Sequence, residues 1–316
     1  YGSGTENKFF FDNSKAAFRA GGISNKFWDI DSLGQNSFAS GNNTKAIGTS
    51  STAFGKSTRA TGASSTSLGE STTASGTNST AMGIYSNATG SYAISAGFNA
   101  SSSGNTSLAT GLSTTASGDY STSMGGFTDA IGSYSTATGD YTSAVGFAAF
   151  SSGFKTEANG DISAAFGDST IAESYGEFVV GSFDTDYTPN DATNYNAADR
   201  VFVVGNGTSS ARSDALIIYK NGNMDVNGNL DINDGSITLS QKTGVDADNL
   251  STNGKNSVII LNADGAGANA FPTVADGTII VVVNTHTSTI TVGGISFLTG
   301  EASMVVRANS SWYKIK

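Results

Sequence analysis

The sequence predicts an all-β protein whose central part is a β-solenoid, a chain wound into a stack of short coils. Twenty glycines follow one another at a strict spacing of seven residues from Gly34 to Gly167. From Gly41 onwards, the residue two before each glycine is small and the residue four before is Ser, Thr or Ala, as at Ala39 and Ser37. Because strand side chains alternate between two faces, these small groups must line the inside of a narrow coil.

The outward-pointing positions, one and three residues before each glycine, alternate between apolar and polar from one heptad to the next. The true repeat is therefore fourteen residues, with two short strands per coil. In one set of heptads, a residue one or three before the glycine is large and apolar, and only 136–138 interrupts it; the other set is mostly polar. These apolar residues, here named the apolar stripe, are Phe38, Phe54, Leu68, Met82, Ile94, Leu108, Met124, Phe150, Phe166 and Phe178. From Gly34 to Gly181 the repeat gives 147/14, or 10.5, coils and a rod of roughly 50 Å.

The stripe predicts self-association. An interior of Ala, Ser, Thr and Gly buries too little apolar area to offset the entropy of ordering the backbone. A cover supplied by the chain's own termini is the alternative, but some ten coils would need a long cover, and no amphipathic helix is visible. We therefore expect a parallel homotrimer in which three rods close around the stripe.

The segments around the glycines resemble a known family. They read Ser-Thr-Ala-Phe-Gly at 51–55, Ala-Thr-Gly at 60–62, Ser-Thr-Ala-Met-Gly at 79–83 and Thr-Ala-Ser-Gly at 115–118. They are similar to the YadA-like head repeat of trimeric autotransporter adhesins, which implies a trimeric left-handed parallel β-roll for residues 34–182. The flanking segments at 15–21 and 199–207 resemble those of surface or fibre proteins of the Bacteroidetes and their phages.

Turn signals divide the rest of the chain. We expect an N-terminal cap at 1–33, the roll at 34–182, a connector and short β-shaft at 183–241, a polar linker at 242–255 and a C-terminal β-sandwich tip at 256–316. The shaft prediction depends on strands at 201–204 and 215–219 and on tandem Asn/Gly turns at 221–239. These tandem units resemble the β-shafts of trimeric phage fibres, and an ordinary β-meander is the alternative. The tip resembles, more loosely, the terminal domains of phage tail fibres.

Composition narrows the partners. Charged residues make up 13% of the chain, and the net charge of −10, which becomes −30 in a trimer, disfavours nucleic acid and acidic membrane surfaces. No apolar run reaches the ~20 residues of a membrane helix, so we expect no membrane insertion. There is no cysteine, and no signal peptide begins at Tyr1. We therefore expect a mature product, a fragment or a protein delivered without a secretion signal. The sequence also shows neither the coiled-coil stalk nor the membrane anchor that a full trimeric autotransporter has.

Catalysis and metal binding find little support in the sequence, and we expect no enzyme, no cofactor and no metal. The single histidine, His286, lies in a predicted turn, so a histidine-rich metal cluster is excluded. A calcium site at 184–191 lacks the pattern of an EF-hand loop and competes with a plain Asx-rich turn. Carboxylates paired between subunits would allow polysaccharide cleavage. The candidates for that alternative are Asp161, Asp168, Glu173 and Glu177.

Three functions remain. The first is an extracellular homotrimeric receptor-binding fibre of a phage or contractile injection machine, attached through its N-terminus, with His286, Trp312 and Tyr313 as receptor contacts at the tip. For Trp312 and Tyr313 the alternative is packing inside the sandwich. The second is the head of a bacterial surface adhesin that binds host matrix or neighbouring cells through the roll. The third is ice binding by the hydroxyl ladder of the polar face, which Lys45, Arg59, Asp129 and Glu157 interrupt.

Overall fold

The computed structural model describes residues 6–24, 28–228, 241–245, 258–261, 279–284, 289–292, 295–298, 300–308 and 311–315. In these residues the regular structure is almost all β, with one short 3-10 helix at Ile30–Ser32. Within the same residues, no helix has the length and apolarity needed to cross a membrane. The chain forms two compact units, Tyr1–Asn229 and Leu230–Lys316.

The first unit begins with an antiparallel hairpin of β1 (Glu6–Asp12) and β2 (Ala17–Ile23), after which long and short strands alternate. The long strands are β3 (Phe38–Asn42), β5 (Thr52–Lys56), β7 (Thr66–Glu70), β9 (Thr80–Ile84), β11 (Ile94–Phe98), β13 (Leu108–Leu112), β15 (Thr122–Gly126), β17 (Thr136–Asp140), β19 (Phe150–Phe154), β21 (Ala164–Asp168) and β23 (Phe178–Ser182). The short strands are β4 (Lys45–Ala46), β6 (Arg59–Ala60), β8 (Thr73–Ala74), β10 (Asn87–Ala88), β12 (Ser101–Ser102), β14 (Thr115–Ala116), β16 (Asp129–Ala130), β18 (Ser143–Ala144), β20 (Glu157–Ala158) and β22 (Ile171–Ala172).

Each strand pairs in parallel with its equivalent fourteen residues later, as in the register Gly97↔Gly111 on the long strands and Asn87↔Ser101 on the short ones. The long strands belong to a 16-stranded sheet, and the short strands form a separate 10-stranded sheet. One long and one short strand therefore make each coil. The predicted fourteen-residue coil, the all-β class and the β-roll are confirmed.

Small side chains fill the space between the two sheets. Ala39 and Ala53 of the long strands and Ala46 and Ala60 of the short strands pack into one cluster, each with no exposed surface. Because the two sheets share this interior, their outward faces point in opposite directions. The positions predicted to line a narrow coil do line it.

The repeat glycine, which lines the interior together with the residues two and four before it, is required by the backbone of the long strands. Gly125 has a φ of +122°, and a Cβ added there would overlap the carbonyl oxygen of Gly139 in the next coil. L-residues rarely adopt this φ, and the parallel ladder leaves no room for a side chain. The same contact recurs one coil further on, between Gly139 and Gly153.

A buried cation occupies the start of the interior. Arg19 pairs in register with Ala39 and is fully buried. Its guanidinium donates to the carbonyl oxygens of Ser37 and Ala46 at 3.1 and 2.8 Å. Burial lowers its pKa to about 10. Beside it, the indole of Trp28 is buried and donates to the carbonyl oxygen of Thr44 at 2.9 Å. Long side chains thus fill the first coil, where no preceding coil exists.

The 16-stranded sheet continues beyond residue 182. Strand β24 (Arg200–Asn206) pairs in parallel with β23, and β25 (Asp214–Tyr219) and β26 (Met224–Val226) follow in antiparallel pairing. The strands predicted at 201–204 and 215–219 are therefore present, joined to the sheet of the roll. The tandem units from residue 229 to 239 lie outside the described residues.

The second unit contains a five-stranded sheet in the order β27, β28, β29, β32, β33 and a two-stranded sheet of β30 and β31. Their bounds are β27 (Gln241–Val245), β28 (Val258–Leu261), β29 (Ile279–Asn284), β30 (Ile290–Val292), β31 (Ile295–Phe297), β32 (Ala302–Ala308) and β33 (Ser311–Ile315). Strands β28 to β33 lie within the predicted tip at 256–316, whereas β27 begins at the last residue of the predicted shaft and continues into the predicted linker. Lys314 donates to the carbonyl oxygen of Ser296 at 2.7 Å, so the hairpin contacts the sheet. The sandwich arrangement stays a prediction.

Candidate interaction surfaces

The apolar stripe runs along the outward face of the long strands. All ten predicted stripe residues lie on these strands, and each is half-buried or exposed in the single subunit. Phe54 reaches an exposed fraction of 54%. Near the C-terminal end the rings of Phe150, Phe166 and Phe178 follow one another at centroid distances of 5.2 and 5.3 Å. Apart from the break at 136–138, the stripe is therefore an apolar surface that the described part of the chain leaves at least partly exposed.

The stripe is longer than the sequence analysis predicted. Phe18 of β2 stacks on Phe38 with a centroid distance of 5.0 Å, and Phe202 of β24 stacks on Phe178 at 5.7 Å. Both residues were missed because the chain leaves the seven-residue spacing before the first coil and after the last. A signal for them exists, since Phe18, Phe38, Phe178 and Phe202 each precede a glycine by three residues.

The short strands present a different face. Two corners flank them: the first corner leads from a long strand to a short one, and the second corner leads from the short strand to the next long one. The second residue after the glycine at each corner has a left-handed backbone without being glycine, as at Ser50 (φ 56°) and Tyr134 (φ 62°). Serine and asparagine fill these positions in the first coils, but aromatic residues fill many of them later.

The later corner residues form two ladders of rings. On the first corner, Phe127 stacks on Tyr141 at 4.7 Å, and Tyr141 meets Phe154 edge to face at 6.4 Å. On the second corner, Tyr120 stacks on Tyr134 at 4.9 Å, and Tyr134 meets Phe147 edge to face at 5.5 Å. All six rings belong to exposed residues. These residues were missed because turn positions are not expected to carry rows of aromatic rings.

Charged side chains are buried where the roll ends. The carboxylate of Glu177 accepts the backbone N–H groups of Glu173 and Ser174 at 2.9 and 2.8 Å. Asp184 accepts the N–H of Ile171 at 2.8 Å and lies 3.9 Å from Arg212. One oxygen of each carboxylate has no hydrogen-bond partner. Burial raises the pKa of both groups to about 7, against the opposing effect of their hydrogen bonds.

The four carboxylates named as a possible catalytic set serve separate contacts. Asp161 accepts the N–H of Phe147 at 2.7 Å, and Asp168 accepts the hydroxyl of Ser169 at 2.8 Å. Burial raises the pKa of Glu173, which lies on the turn that Glu177 holds. Glu177 itself is buried, so the fold gives each of these groups a structural contact.

The possible calcium segment at 184–191 is likewise divided among local contacts. Asp186 pairs with Arg212 at 3.2 Å, while Asp191 accepts the N–H groups of Thr193 and Asn194 in an Asx turn. Hydrogen bonds from this turn lower the pKa of Asp191. The described part of the chain contains no group of three or more acidic or histidine residues placed to hold a metal ion.

The predicted receptor contacts belong to the second unit. Tyr313 is exposed and lies on β33, opposite Val306 of β32. Trp312 is the neighbouring residue on the same strand and pairs with Arg307. His286 lies outside the described residues. Their role in recognition stays a prediction.

A solenoid of fourteen-residue coils with a small-residue interior and an open apolar face defines a β-solenoid repeat protein. Five segments match the family model described as the YadA head domain repeat (2 copies). The matched segments are 32–58, 60–86, 74–100, 102–128 and 130–149. Between residues 32 and 149 the chain is therefore similar to YadA head repeats. The chain matches none of the curated proteins with which it was compared.

Proposed function

We propose that the protein is an extracellular, non-enzymatic homotrimeric fibre that attaches to a cell-surface ligand. The observation that carries the proposal is the apolar stripe, which stays open along the roll from Phe18 to Phe202. A contiguous apolar surface of this length is unfavourable in water and marks an interaction site. The YadA head repeats support the same assembly, because proteins with such heads are trimeric surface adhesins.

In the proposed trimer, three parallel rolls place their stripes around a common axis. Closed cyclic symmetry removes all three stripes from water and leaves no unpaired copy of the interface at which further subunits could add. The stacked phenylalanines from Phe150 to Phe202 would form the most apolar part of the contact. The pair Thr136 and Thr138, which breaks the stripe, would form its weakest part.

Recognition is assigned in this proposal to the second unit, with His286, Trp312 and Tyr313 as contacts and the N-terminus directed to a phage particle, injection machine or other surface. The exposure of Tyr313 supports this assignment. Tyrosine and tryptophan are enriched in the energetically dominant positions of protein interfaces. The alternative is a bacterial surface adhesin whose roll contacts the ligand, and the exposed rings at the later corners favour it.

Assembly and recognition are tested separately. We expect light scattering to give three times the subunit mass, and we expect Phe166→Ser combined with Phe178→Ser to lower it. The matched control is Phe98→Ser, which removes an exposed ring outside the stripe. A wild-type protein of single-subunit mass would contradict the trimer.

Binding of the full chain and of a shortened chain ending at Asn229 to a panel of bacterial and animal cells tests recognition. Asn229 is the last residue of the first compact unit. Loss of binding on shortening, with the trimer intact, is expected for recognition by the second unit. Retained binding would move recognition to the roll and favour the surface adhesin.

A further inference from the structure

The corners of the roll change character along its length. At the two positions after each repeat glycine, residues 34–83 carry no aromatic side chain, whereas residues 84–168 carry nine. The apolar stripe, in contrast, begins in the first coils, with Phe38, Phe54 and Leu68. Contacts along the stripe therefore do not require aromatic corners. The later corners need a separate explanation.

Six of these rings bracket one patch of the short-strand face, here named the aromatic–acidic face. It consists of the short strands β14, β16, β18 and β20 and two sets of corner residues. Phe127, Tyr141 and Phe154 precede β16, β18 and β20, and Tyr120, Tyr134 and Phe147 follow β14, β16 and β18. Between the two ladders, Asp129, Ser143 and Glu157 stand in register on adjacent strands. Asp129 and Glu157 are thus two strand spacings apart, or about 10 Å.

Charge separates the same two stretches of the roll. Residues 34–83 contain three basic residues and one acidic residue, whereas 84–168 contain six acidic residues and one lysine. That lysine, Lys155, holds its ammonium nitrogen 5.1 Å from the ring centroid of Phe154. A ring of the first-corner ladder therefore already accepts a cation from within the chain. Such cation–π contacts are favourable even at exposed sites.

We propose that the aromatic–acidic face binds a basic polypeptide segment rich in arginine and lysine. Guanidinium and ammonium groups can contact the rings at both corners while they pair with Asp129 and Glu157. A second copy of this protein is a poorer occupant of this face, because the face is acidic, contains no apolar stripe, and would meet a chain with a net charge of −10. The proposal rests on the proposed trimer in one respect: the trimer covers the stripe on the opposite sheet and leaves the aromatic–acidic face accessible to a partner.

The test measures binding of a fluorescein-labelled nona-arginine peptide to the full chain by fluorescence anisotropy. The ring variant combines Tyr134→Ser with Tyr141→Ser, because serine occupies the same corner positions at Ser50, Ser64, Ser57 and Ser71. We expect the ring variant to bind about tenfold more weakly. Tyr313→Ser, which removes an exposed tyrosine from the second unit, should leave binding unchanged.

The charge variants test the acidic part of the face. We expect Glu157→Gln to weaken nona-arginine binding several-fold, whereas Glu70→Gln, which removes one charge from an early coil, should have a smaller effect. Equal effects of Glu157→Gln and Glu70→Gln, together with full binding by the ring variant, would mean attraction by net charge only and would overturn the proposal. If the ring variant fails to fold, equal effects of the two glutamate variants overturn the proposal by themselves, and a larger effect of Glu157→Gln supports it.

Failure of this proposal is distinguishable from failure of the trimer. Light scattering on the same samples reports the subunit number, and anisotropy reports peptide binding. A single subunit that still binds the peptide through Tyr134 and Tyr141 would remove the trimer and keep this surface. A trimer whose peptide binding is insensitive to these residues would do the reverse. Binding of a neutral oligosaccharide in place of the peptide, lost in the ring variant, would also overturn the assignment to a basic partner.

Discussion

The interior of the roll and the segment that closes it are both shielded from water, but the interior is filled by small side chains and the closing segment by buried charged groups. Between Ala39 and Ala172 the interior holds small side chains, and successive coils are joined by a regular backbone ladder. At the closing end, Arg200, Asp214 and Glu177 are buried. Arg200 donates to the carbonyl oxygen of Thr185 at 2.8 Å and lies 3.6 Å from Asp214.

The difference shows that a repeated coil can cover its neighbour but cannot cover the open end of the stack. Each coil covers its neighbour, so glycine and alanine suffice wherever a further coil follows. The last coil has no such neighbour, and its open end must be covered by a segment that does not repeat. Residues 183–199, between β23 and β24, supply that cover through buried polar contacts. Sensitivity to substitution should therefore be steric in the interior and electrostatic at the end.

Glycine substitution in the interior should have the largest effect. In Gly125→Ala the new Cβ would overlap the carbonyl oxygen of Gly139, and the backbone would have to move. We expect a loss of about 4 kcal/mol or more, seen as a lower thermal midpoint by circular dichroism. The control is Gly126→Ala, whose Cβ would meet only the mobile carboxylate of Asp140. Equal effects of the two substitutions would contradict the steric explanation.

Loss of the buried arginine at the end should rank second. Arg200→Ala leaves Asp214 buried without its cation and removes the guanidinium that lies 4.1 Å from the ring of Tyr187. Breaking a buried pair in this way costs about 3–5 kcal/mol. The comparison is Arg212→Ala, because Arg212 is partly exposed and should cost less. A thermal midpoint for Arg200→Ala equal to that of wild type would show that the closing contacts are dispensable.

The closing end should also make stability depend on pH. The pKa of Glu177 is raised by burial from 4.5 to about 7, so the folded protein binds this proton more tightly than the unfolded chain does. The stabilisation is complete below the unfolded pKa and is lost as the pH rises towards 7. Glu177→Gln should therefore raise the thermal midpoint near pH 8 and flatten its fall between about pH 4.5 and 7. Glu157→Gln, on the surface, should leave the slope unchanged.

Interior hydroxyl groups should have the smallest effect. Ser107 donates to the carbonyl oxygen of Gly104 at 2.6 Å, and the same contact joins Ser121 to Gly118. Ser107→Ala removes one neutral hydrogen bond with little change of volume and should cost about 1 kcal/mol. A chemical denaturation curve can resolve a change of this size. A loss as large as that of Gly125→Ala would mean that the hydroxyl groups, and not the glycines, fix the coil.

Sequence reasoning could predict the roll because one spacing determines its structure. A glycine every seventh residue, with small side chains at fixed positions before it, identifies the interior and separates the two outward faces. The seven-residue spacing alone did not identify Phe18 and Phe202 as stripe residues, because β2 and β24 join the sheet at offsets of 20 and 24 residues. Only their position three residues before a glycine connects them to the stripe. The corner rings were missed because a left-handed turn position favours Asn or Gly, and Tyr120 or Tyr134 gives no such signal.

The closing end was less predictable still. Asp184, Asp199 and Asp214 are far apart in sequence, and their burial depends on contacts that only the folded chain brings together. Strand β27 was expected to be linker because its residues, Gln-Lys-Thr-Gly-Val, carry little apolar character. It pairs in parallel with β28 at the edge of the sheet, and its own sequence pattern does not indicate this pairing.

The fixed register between coils also governs how genes for such rods can change length. Deleting fourteen residues, for example 94–107, would remove β11 and β12, so that β13 pairs with β9. All downstream glycines would stay in register. The rod would shorten by one strand spacing, or about 4.8 Å. Deleting seven residues would instead exchange long and short strands for every later coil and move the stripe to the opposite side. Insertions and deletions of 42 nucleotides are therefore tolerated steps, and those of 21 nucleotides are not.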